Sequence, residues 1–594
     1  MSARDFCTLL WSPRNLAART LATATTSALA AAGWREALAD VGVAVWLGPG
    51  STLPVTRMRN GSDLIIGETF MPASRAAKAP DAAPGAEKAD QFCKRLMAEV
   101  WGRYVVIMPG AEGALALFRD PSGALDCLTW RRDGLTLVAS ATPAALDPTL
   151  PEQTALDWRR VAAFLANPIA VSGALALEGL TSVAAGMLWL RDHQGERSLQ
   201  LWRPIEFIED RRLSVDQARE GLVHQVQLCV GSWAQHFGSV AAELSGGLDS
   251  AIVAALLARS PAAVAAWINY HVSAPEADER RFAADVADKL GIRLTAVHMP
   301  DLVLSPDAFG PVSQGPRPAI HGMDWRYDQD MATRAQSLGV RAILTGQGGD
   351  AVFFQMLTDV ALADRLRVRG PLSVGPGQLL AYARATKRSI WDVGAQVARA
   401  GLIDPPEVVW IPADYVSRDI ATDDPTHPWL ADLEPAPPAK RRQIRAIANC
   451  QSFYGDSRRA DVTNVIHPLL SQPLVEYCLS LPVADLTLGG RDRGLAREAF
   501  SGRLPASIYR RRSKGVMTSF YGRAIARSLN HLRPLLLEGR LAANRLIDRD
   551  RLERLLHPDE LINSLAYADI MQLVMIEVWV QAWERRLDRL GRRA

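Results

Sequence analysis

A glycine-rich segment with two hydroxyls and one carboxylate is the clearest candidate for chemistry in this sequence. It reads Ser245-Gly246-Gly247-Leu248-Asp249-Ser250 and lies between a predicted strand at 240–244 and a predicted helix at 250–258. Backbone N–H groups at a helix start can surround an anion, and glycine allows the backbone to approach it closely. The pattern predicts a pyrophosphate-binding loop, although the Gly-Lys-Ser/Thr element of a Walker loop is missing. The predicted contact residues are Leu244, Ser245, Gly246, Gly247, Leu248, Asp249 and Ser250.

Asp249 indicates a metal ion in this loop. A carboxylate repels bound phosphates unless a divalent cation lies between them, so we assign Asp249 to Mg²⁺. The alternative is an ordinary strand–helix turn in which Asp249 caps the helix.

A second glycine-rich turn, Thr345-Gly346-Gln347-Gly348-Gly349-Asp350, follows a predicted strand at 342–345. Turns after neighbouring strands of a parallel sheet open at the same edge, so we expect Asp350 to face Asp249 across the ligand. Asp350 is therefore predicted as the second Mg²⁺ carboxylate. Gly346, Gln347 and Gly348 are predicted to contact the pyrophosphate.

Two halves with different patterns must position these turns. The pattern predicts one domain at 1–205 with a layered α+β arrangement of short strands, and another at 206–594 with alternating strands and helices. The alternation implies a parallel sheet with helices on both faces, followed by a mostly helical C-terminal part. Further expected elements are strands at 41–47, 104–108, 114–118, 263–270 and 292–298, helices at 90–101, 276–290 and 328–338, a mobile loop at 72–89 and a Pro-rich loop at 404–440.

The composition excludes several classes of protein. A net charge of +3 over 594 residues gives no indication of a nucleic-acid partner. Six cysteines without a CxxC pair fit a reducing cytosol and argue against a disulfide scaffold or a zinc site. The start lacks a signal-peptide pattern, and the apolar stretch 565–583 is interrupted by polar residues, so it predicts a buried amphipathic helix. We expect a cytoplasmic protein with no membrane partner.

The two glycine-rich turns and the later segment Ile508-Tyr509-Arg510-Arg511-Arg512-Ser513-Lys514-Gly515 resemble the asparagine synthetase family in order and spacing. The resemblance spans roughly 210–530. It implies an α/β PP-loop ATP pyrophosphatase fold (adenine nucleotide α-hydrolase-like), with ATP and Mg²⁺ as cofactors. It also implies that AMP is transferred to a carboxylate and then displaced by an amine. Lys514 matches the family's catalytic lysine, where a cation would stabilise developing charge.

The first half resembles the family's glutamine-amidotransferase domain, of the Ntn type. The matching stretches are 101–104 and 118–123. Active domains of this kind use an N-terminal cysteine as nucleophile. This chain begins Met1-Ser2-Ala3-Arg4-Asp5-Phe6-Cys7, so removal of Met1 would expose Ser2 and not a cysteine. The domain is therefore expected to be degenerate, and the amine to come from the substrate itself.

Gln347 narrows the choice among the members of the family that use an amine of the substrate. Members that form β-lactams carry a tyrosine at the matching position, which works with a glutamate as a base. Glutamine cannot do so, and the chain looks more like lasso peptide cyclases, which join a peptide N-terminus to an internal Asp or Glu as a macrolactam.

That resemblance implies a precursor peptide as substrate, and a leader-peptide-binding protein and a cysteine protease as partners. The alternatives are a β-lactam, carbapenam or other small-molecule amide synthetase, a glutamine-independent asparagine synthetase-like enzyme, and a nucleotide-binding scaffold of a biosynthetic complex.

Overall fold

The computed structural model of the chain describes residues 3–58, 61–71, 88–209, 213–356, 360–402, 413–417, 427–512, 515, 517–563 and 567–592. Some sequence expectations fall wholly or partly on the remaining residues. Lys514 and most of the loop expected at 72–89 lie outside the described residues, as does part of the Pro-rich loop expected at 404–440.

The N-terminal half contains two antiparallel six-stranded sheets. The first sheet has the order β10-β8-β9-β1-β3-β2, and the second has the order β12-β11-β7-β6-β5-β4. The strands are β1 (Phe6–Leu10), β2 (Arg35–Asp40), β3 (Val43–Leu47), β4 (Val55–Arg57), β5 (Leu64–Phe70), β6 (Trp101–Pro109), β7 (Leu115–Arg119), β8 (Leu128–Arg132), β9 (Leu135–Ala139), β10 (Thr181–Ser182), β11 (Met187–Asp192) and β12 (Gly195–Gln200).

The N-terminal half has four layers, two sheets between two layers of helices, because both faces of each sheet carry apolar residues. Phe6 and Val45 of the first sheet share a buried cluster with Val105 and Leu117 of the second, so the two sheets pack face to face. The outer faces are covered by α1 (Leu16–Ala31) with α3 (Trp158–Ala166), and by α2 (Ala89–Glu99). A short helix, α4 (Ala170–Gly173), completes this half. The layered α+β expectation agrees with this architecture.

The second half is built on a parallel five-stranded sheet with the order β15-β14-β13-β16-β17. Helices cover both faces: one face packs on Leu222 and Ile252, and the other packs on Met331. The strands are β13 (Ser239–Glu243), β14 (Ala263–His271), β15 (Leu294–His298), β16 (Ala342–Leu344) and β17 (Asn464–Ile466). Helix α5 (Val215–Phe237) precedes the first of these strands. The next helices along the chain are α6 (Leu248–Leu257), α7 (Arg280–Leu290), α8 (Pro306–Phe309), α9 (Trp325–Leu338) and α10 (Gly349–Val352).

The rest of the chain is helical, as expected. Its helices are α11 (Val360–Arg369), α12 (Pro376–Thr386), α13 (Ile390–Leu402), α14 (Pro438–Cys450), α15 (Arg458–Val462), α16 (Gln472–Ser480), α17 (Val483–Leu486), α18 (Gly494–Ala499), α19 (Ala506–Tyr509), α20 (Thr518–Arg527), α21 (Leu529–Leu537), α22 (Arg540–Ala543), α23 (Arg549–Leu555), α24 (Pro558–Asn563) and α25 (Tyr567–Arg589). Among the described helices, none combines the length and apolar character that crossing a bilayer requires.

Several element boundaries differ from the sequence expectations. The helix expected at 276–290 begins only at Arg280, because Pro275–Ala277 forms a separate 3₁₀ turn and Asp278 is extended. The helix expected at 90–101 ends at Glu99, since Trp101 already belongs to β6. The loop expected to reach position 440 ends earlier, because α14 begins at Pro438, a residue well suited to a first helical turn.

The two halves are joined by buried polar contacts. The Arg103 guanidinium, 1 % exposed, pairs with Glu68 at 2.7 Å and donates to Asn464 Oδ1 of β17 at 2.6 Å. Trp202 Nε1 donates to Glu476 at 2.8 Å. The predicted division into 1–205 and 206–594 stays a prediction, because one buried cluster contains residues from both halves.

Candidate active site

The first glycine-rich loop joins β13 to α6 at the carboxyl edge of the parallel sheet. Leu244 continues the strand, with its N–H donating to Ile268 O at 2.8 Å. Gly246 adopts φ +91°, and a Cβ there would lie 2.8 Å from Glu279 O, so only glycine fits. Gly247 is the N-cap of α6, and Leu248 begins the helix two residues earlier than expected. The loop therefore places helix N–H groups at the sheet edge, where an anion can bind.

The loop's two hydroxyls lie together. Ser245 Oγ is 3.0 Å from Ser250 Oγ, and it also accepts from Gly247 N at 3.2 Å. Ser250 is buried, whereas Ser245 is exposed. This pairing holds the loop closed around its own backbone and leaves Ser245 facing outward, towards the side from which a phosphate would arrive.

The second glycine-rich turn packs directly against the first, because β16 is the parallel neighbour of β13. A Cβ at Gly346 would lie 2.4 Å from Ser250 N, and a Cβ at Gly349 would lie 2.6 Å from Asp249 Cγ. Gly348 has φ +87° and rests against Leu470. The glycines of this turn therefore allow contact between the two loops, and the expected juxtaposition of the loops is what the structure shows.

Asp249 and Asp350 are brought together by an arginine that sequence reasoning missed. Arg493 Nη1 donates to Asp249 Oδ2 at 2.6 Å and also to Asp350 Oδ1. The Asp249 side chain is 10 % exposed and that of Asp350 is 41 % exposed. Burial lowers the pKa of Arg493, but the carboxylates of Asp249 and Asp350 outweigh it and raise that pKa above its ordinary value. The guanidinium is therefore fully charged.

Gln355 supports Asp350 from the other side. With its amide oriented to donate, the nitrogen lies 2.8 Å from both carboxylate oxygens of Asp350. The Gln355 N–H also donates to Asp350 O at 2.7 Å. Asp350 therefore has a fixed orientation in the site.

The carboxylate pair suits a divalent cation. Both side chains already contact one positive nitrogen, so both can reach one ion. Among the described residues there is no group of three or more His, Cys, Asp or Glu side chains that could hold a metal. A hard cation such as Mg²⁺, which prefers six oxygen ligands, would therefore draw its other ligands from phosphate oxygens and water.

Glu279 anchors the arginine-rich segment 508–515, called here the basic segment, to the first loop. Its Oε1 accepts from Arg511 Nη2 at 2.5 Å and from Gly515 N at 2.6 Å. Arg511 Nη1 also donates to Gly246 O at 3.2 Å, and its guanidinium lies 3.7 Å from the centre of the Phe282 ring. Glu279 lies at the N-cap of α7, and its carboxylate is taken up by these contacts. Lys514 lies outside the described residues, but its described neighbours Arg511 and Gly515 are both held here.

Gln347 lies beside a buried histidine contact. Its N–H donates to Thr345 Oγ1 at 3.2 Å, and Thr345 Oγ1 is 2.7 Å from His467 Nδ1. Burial lowers the pKa of His467 to about 3. The imidazole is therefore neutral and fixes the strand end from which the second turn departs.

A charged network continues along the sheet edge from the first loop. Glu243 accepts from Tyr327 OH and from Arg459 Nη1, the latter at 2.9 Å, and Arg459 Nε donates to Asp328 at 2.7 Å. Burial raises the pKa of Tyr327 well above its ordinary value, although Arg459 acts in the opposite direction. The phenol is therefore neutral. The residues are far apart in sequence, so no spacing pattern could have revealed this network.

Two histidines at the ends of neighbouring strands lie close together. His271 and His298 pair across β14 and β15, with ring centroids 5.2 Å apart, and His298 Nε2 is 2.8 Å from Ser273 Oγ. Asn269 lies near the end of β14, and its Nδ2 donates to Leu244 O at 2.8 Å. Asn269 therefore ties the second strand to the start of the first loop.

Comparison with protein families gives one match. The asparagine synthase family model matches residues 221–581, which include both glycine-rich turns, Arg493 and the basic segment. Comparison with curated proteins finds no match.

Solved structures give only distant similarities. Glutamine phosphoribosylpyrophosphate amidotransferase from B. subtilis, complexed with ADP and GMP, is 11 % identical over 51 % of this chain and 83 % of its own, with a TM-score of 0.22. The U34-tRNA thiolase NcsA from Methanococcus maripaludis, with its [4Fe-4S] cluster, is 15 % identical over 41 % and 81 %, with a TM-score of 0.19. Scores this low do not establish a shared fold. The family match covers more than half of the chain, and it confirms the predicted family: the protein belongs to the asparagine synthase family and is an ATP-dependent carbon–nitrogen ligase.

Proposed function

We propose that the protein is a lasso peptide cyclase. It would adenylate the side-chain carboxylate of an Asp or Glu in a core peptide and join it to the peptide's N-terminal amine as a macrolactam, releasing AMP and pyrophosphate. One observation carries this proposal: the two apposed glycine-rich turns with Asp249 and Asp350 occur together with an N-terminal half in which Cys7 is sealed inside a strand. The same proposal includes an Ntn-type origin for the first half and a PP-loop origin for the second.

Cys7 is unsuited to glutamine hydrolysis. It lies in β1 between β3 and β9 and has no exposed surface. Burial raises the pKa of its thiol, so the thiolate required of a nucleophile does not form. In addition, Ala3 N donates to Ala460 O at 2.7 Å, which ties the start of the described chain to the second half. In this proposal, an amine carried by the substrate takes the place of ammonia derived from glutamine.

The first step activates the carboxylate. The N–H groups at the start of α6 and the Ser245 hydroxyl would bind the β- and γ-phosphates, while Asp249 and Asp350 would hold a divalent cation. Mg²⁺, when bound there, neutralises phosphate charge and makes pyrophosphate a better leaving group. An oxygen of the peptide carboxylate attacks the α-phosphorus, the bond from that phosphorus to the bridging oxygen breaks, and pyrophosphate leaves.

The second step closes the ring. The amine nitrogen attacks the acyl carbon, a tetrahedral centre forms, and AMP leaves with the electrons of the carbon–oxygen bond, while the amine proton passes to a base. We assign Lys514 to stabilise the developing charge, as the resemblance implies. The contacts of Glu279 with Arg511 and Gly515 support this assignment, because they hold the flanking chain against the first loop.

Gln347 favours a peptide product over a β-lactam. It offers an amide, which cannot accept the amine proton as a base. Tyr327 does contact a glutamate, Glu243, but Arg459 also donates to that carboxylate at 2.9 Å, and burial raises the pKa of the phenol. Because both contacts belong to the network that joins Glu243, Tyr327 and Arg459, we assign this pair no role in taking the amine proton.

A cytoplasmic location and two pathway partners complete the proposal. A leader-peptide-binding protein would deliver the precursor, and a cysteine protease would free the N-terminal amine on which ring closure depends.

The proposal is tested with purified protein, ATP, Mg²⁺ and synthetic core peptides. The expected product of an active peptide has lost the mass of one water, and it appears together with AMP and pyrophosphate. An N-acetylated peptide separates the two steps, since it should still support ATP–pyrophosphate exchange but should not cyclise. A peptide with the acidic residue changed to its amide should do neither. Exchange that is indifferent to the acidic residue, or that is supported only by small amino acids, would contradict a peptide cyclase.

A further inference from the structure

Arg493 is the residue that joins the two carboxylates assigned to the metal ion. A single nitrogen, Nη1, makes both contacts, to Asp249 Oδ2 at 2.6 Å and to Asp350 Oδ1. The Arg493 side chain is only 6 % exposed, so water does little to screen these charges. The guanidinium thus neutralises a carboxylate pair that would otherwise repel itself.

The other two nitrogens of Arg493 have a separate partner. Nη2 and Nε donate to Asp492 Oδ2 at 3.0 and 3.2 Å. Asp492 is held in turn by Arg497 Nη2 at 2.8 Å. Arg493 can therefore give up its contacts to Asp249 and Asp350 without becoming an unpaired buried charge, because Asp492 stays with it.

The backbone conformation of Arg493 fixes the point from which its side chain extends into the site. Arg493 has φ +50°, a left-handed conformation that arginine rarely adopts, and its N–H donates to Phe354 O at 3.1 Å. The next residue, Gly494, has no room for a Cβ, which would lie 2.1 Å from Leu488 O. The backbone is therefore pinned on both sides, and a change at this site must come from the side chain.

We propose that Arg493 is a built-in counter-ion that excludes free divalent cations from Asp249 and Asp350 and yields only when the cation arrives with nucleotide phosphates. This inference rests on the proposed assignment of those carboxylates to Mg²⁺.

The charges explain why nucleotide is required. Without nucleotide, a free dication at the carboxylates would lie beside the displaced guanidinium, and the two positive charges would repel. With nucleotide, phosphate oxygens would separate the two positive charges and would accept the hydrogen bonds that Arg493 Nη1 no longer donates to the carboxylates. The small set of protein ligands acts in the same direction, since two carboxylates leave most positions of the ion to be filled by phosphate and water.

Arg493 is thus a positioning residue that couples metal binding to nucleotide binding. Mn²⁺ is the probe, because its unbound form is counted directly by electron paramagnetic resonance. We expect the wild-type protein to bind Mn²⁺ weakly alone and tightly with α,β-methylene ATP. In Arg493→Gln the affinity for Mn²⁺ alone should rise by about tenfold or more, and the gain from nucleotide should shrink accordingly.

The matched control is Arg491→Gln. Arg491 lies two residues away and donates to Tyr509 O at 2.9 Å, outside the carboxylate pair. Its Mn²⁺ binding should equal that of the wild type. Circular dichroism and thermal melting establish that each variant is folded. Should Arg493→Gln not fold, Arg493→Met takes its place, because it removes the charge while keeping an unbranched side chain. Unchanged affinity for Mn²⁺ alone in the folded variant would overturn the proposal.

Failure of this inference is distinguishable from failure of the proposed function. The Mn²⁺ titration requires no peptide, so it holds or fails whatever the acyl acceptor. If Mn²⁺ with nucleotide does not bind the wild-type protein, the assignment of Asp249 and Asp350 to the metal is wrong. If Mn²⁺ binds the wild type and Arg493→Gln equally well, both alone and with nucleotide, only the role of Arg493 is wrong.

Discussion

Gly349 lies so close to Asp249 that a Cβ atom at position 349 would fall 2.6 Å from Asp249 Cγ. The second turn therefore sets the position of the first turn's carboxylate. Gly349 does not have a positive φ, so its backbone would accept alanine, and the obstacle is space alone.

Gly349→Ala should displace the Asp249 carboxylate and reduce ATP–pyrophosphate exchange by about 10²-fold, because misplacement by an ångström is enough for such a loss. The overall fold should survive, since the added methyl meets a side chain. Gly377→Ala is the matched control: Gly377 lies in α12, and no described atom would come within 4 Å of the added methyl, so its exchange rate should be unchanged. Equal rates for both variants would show that the contact has no consequence.

Asp249→Asn and Asp350→Asn should each reduce adenylation by about 10³-fold or more, because each removes a charge that we propose holds the metal and leaves Arg493 undercompensated. Pyrophosphate release measures the loss, and titration with Mn²⁺ and nucleotide measures binding. Asp285→Asn, on the exposed side of α7, serves as the control and should behave as wild type. Normal turnover in either site variant would refute its assigned role.

Glu279→Gln should lower turnover by about tenfold while the affinity for ATP changes little. The amide keeps the size of the side chain but weakens the charge-assisted contact to Arg511, so the segment that carries Lys514 loses its anchor. Single-turnover kinetics with separate measurement of nucleotide affinity tests this split. Asp278→Asn is the neighbouring control, since Asp278 pairs with exposed Arg280. A loss confined to ATP affinity would argue for a different role.

His467 should make stability depend on pH. Burial lowers its pKa from 6.5 to about 3, so the unfolded chain binds the proton that the folded chain refuses. The stabilisation by neutral His467 is therefore complete above pH 6.5 and is lost as the pH falls towards 3, by about 1.4 kcal/mol per pH unit.

Urea unfolding at several pH values checks this sign. His467→Gln should be less stable than wild type at pH 7.5, and the gap should narrow as the pH falls below 6.5. The exposed His193 provides the control through His193→Gln, whose free energy of unfolding should follow wild type. A gap for His467→Gln that stays constant with pH would show that this histidine is not the titrating group.

Burial raises the pKa of the Cys7 thiol, so alkylation of Cys7 by iodoacetamide should be much slower than that of a free thiol. Cys7→Ala should keep full ligase turnover, and glutamine should not replace the amine of the substrate. The substitution should cost about 1–2 kcal/mol of stability, since it leaves a small cavity in β1. Glutamine hydrolysis by the wild type, abolished in Cys7→Ala, would contradict the degenerate role of this domain.

The sequence was informative where chemistry depends on local pattern. Two glycine-rich turns after strands of one parallel sheet implied that Asp249 and Asp350 meet, and the structure brings them to one nitrogen. Arg493 could not be found in this way, because its guanidinium reaches the site from the start of α18, a helix distant in sequence from both turns. The contacts of Glu279 with Arg511 and Gly515 could not be predicted either, since local pattern shows the helix start and not the later segment that packs against it.

The boundaries of helices and strands, too, could be predicted only where they depend on local sequence. Strands with buried residues on both faces were located within a few residues, whereas the start of α7 depended on the 3₁₀ turn at Pro275–Ala277. The network of Glu243, Tyr327 and Arg459 joins three separate elements, so only tertiary structure reveals it.

The contact from Arg103 to Asn464 has a consequence for the enzyme's architecture. Asn464 lies in β17, the last strand of the parallel sheet, whose outer side pairs with no further strand in the described part of the chain. The N-terminal half thus reaches the unpaired edge of the sheet that carries the two glycine-rich turns, and its removal would uncover an edge strand prone to self-association. Contact with this edge is a structural role for the N-terminal half that does not depend on glutamine hydrolysis.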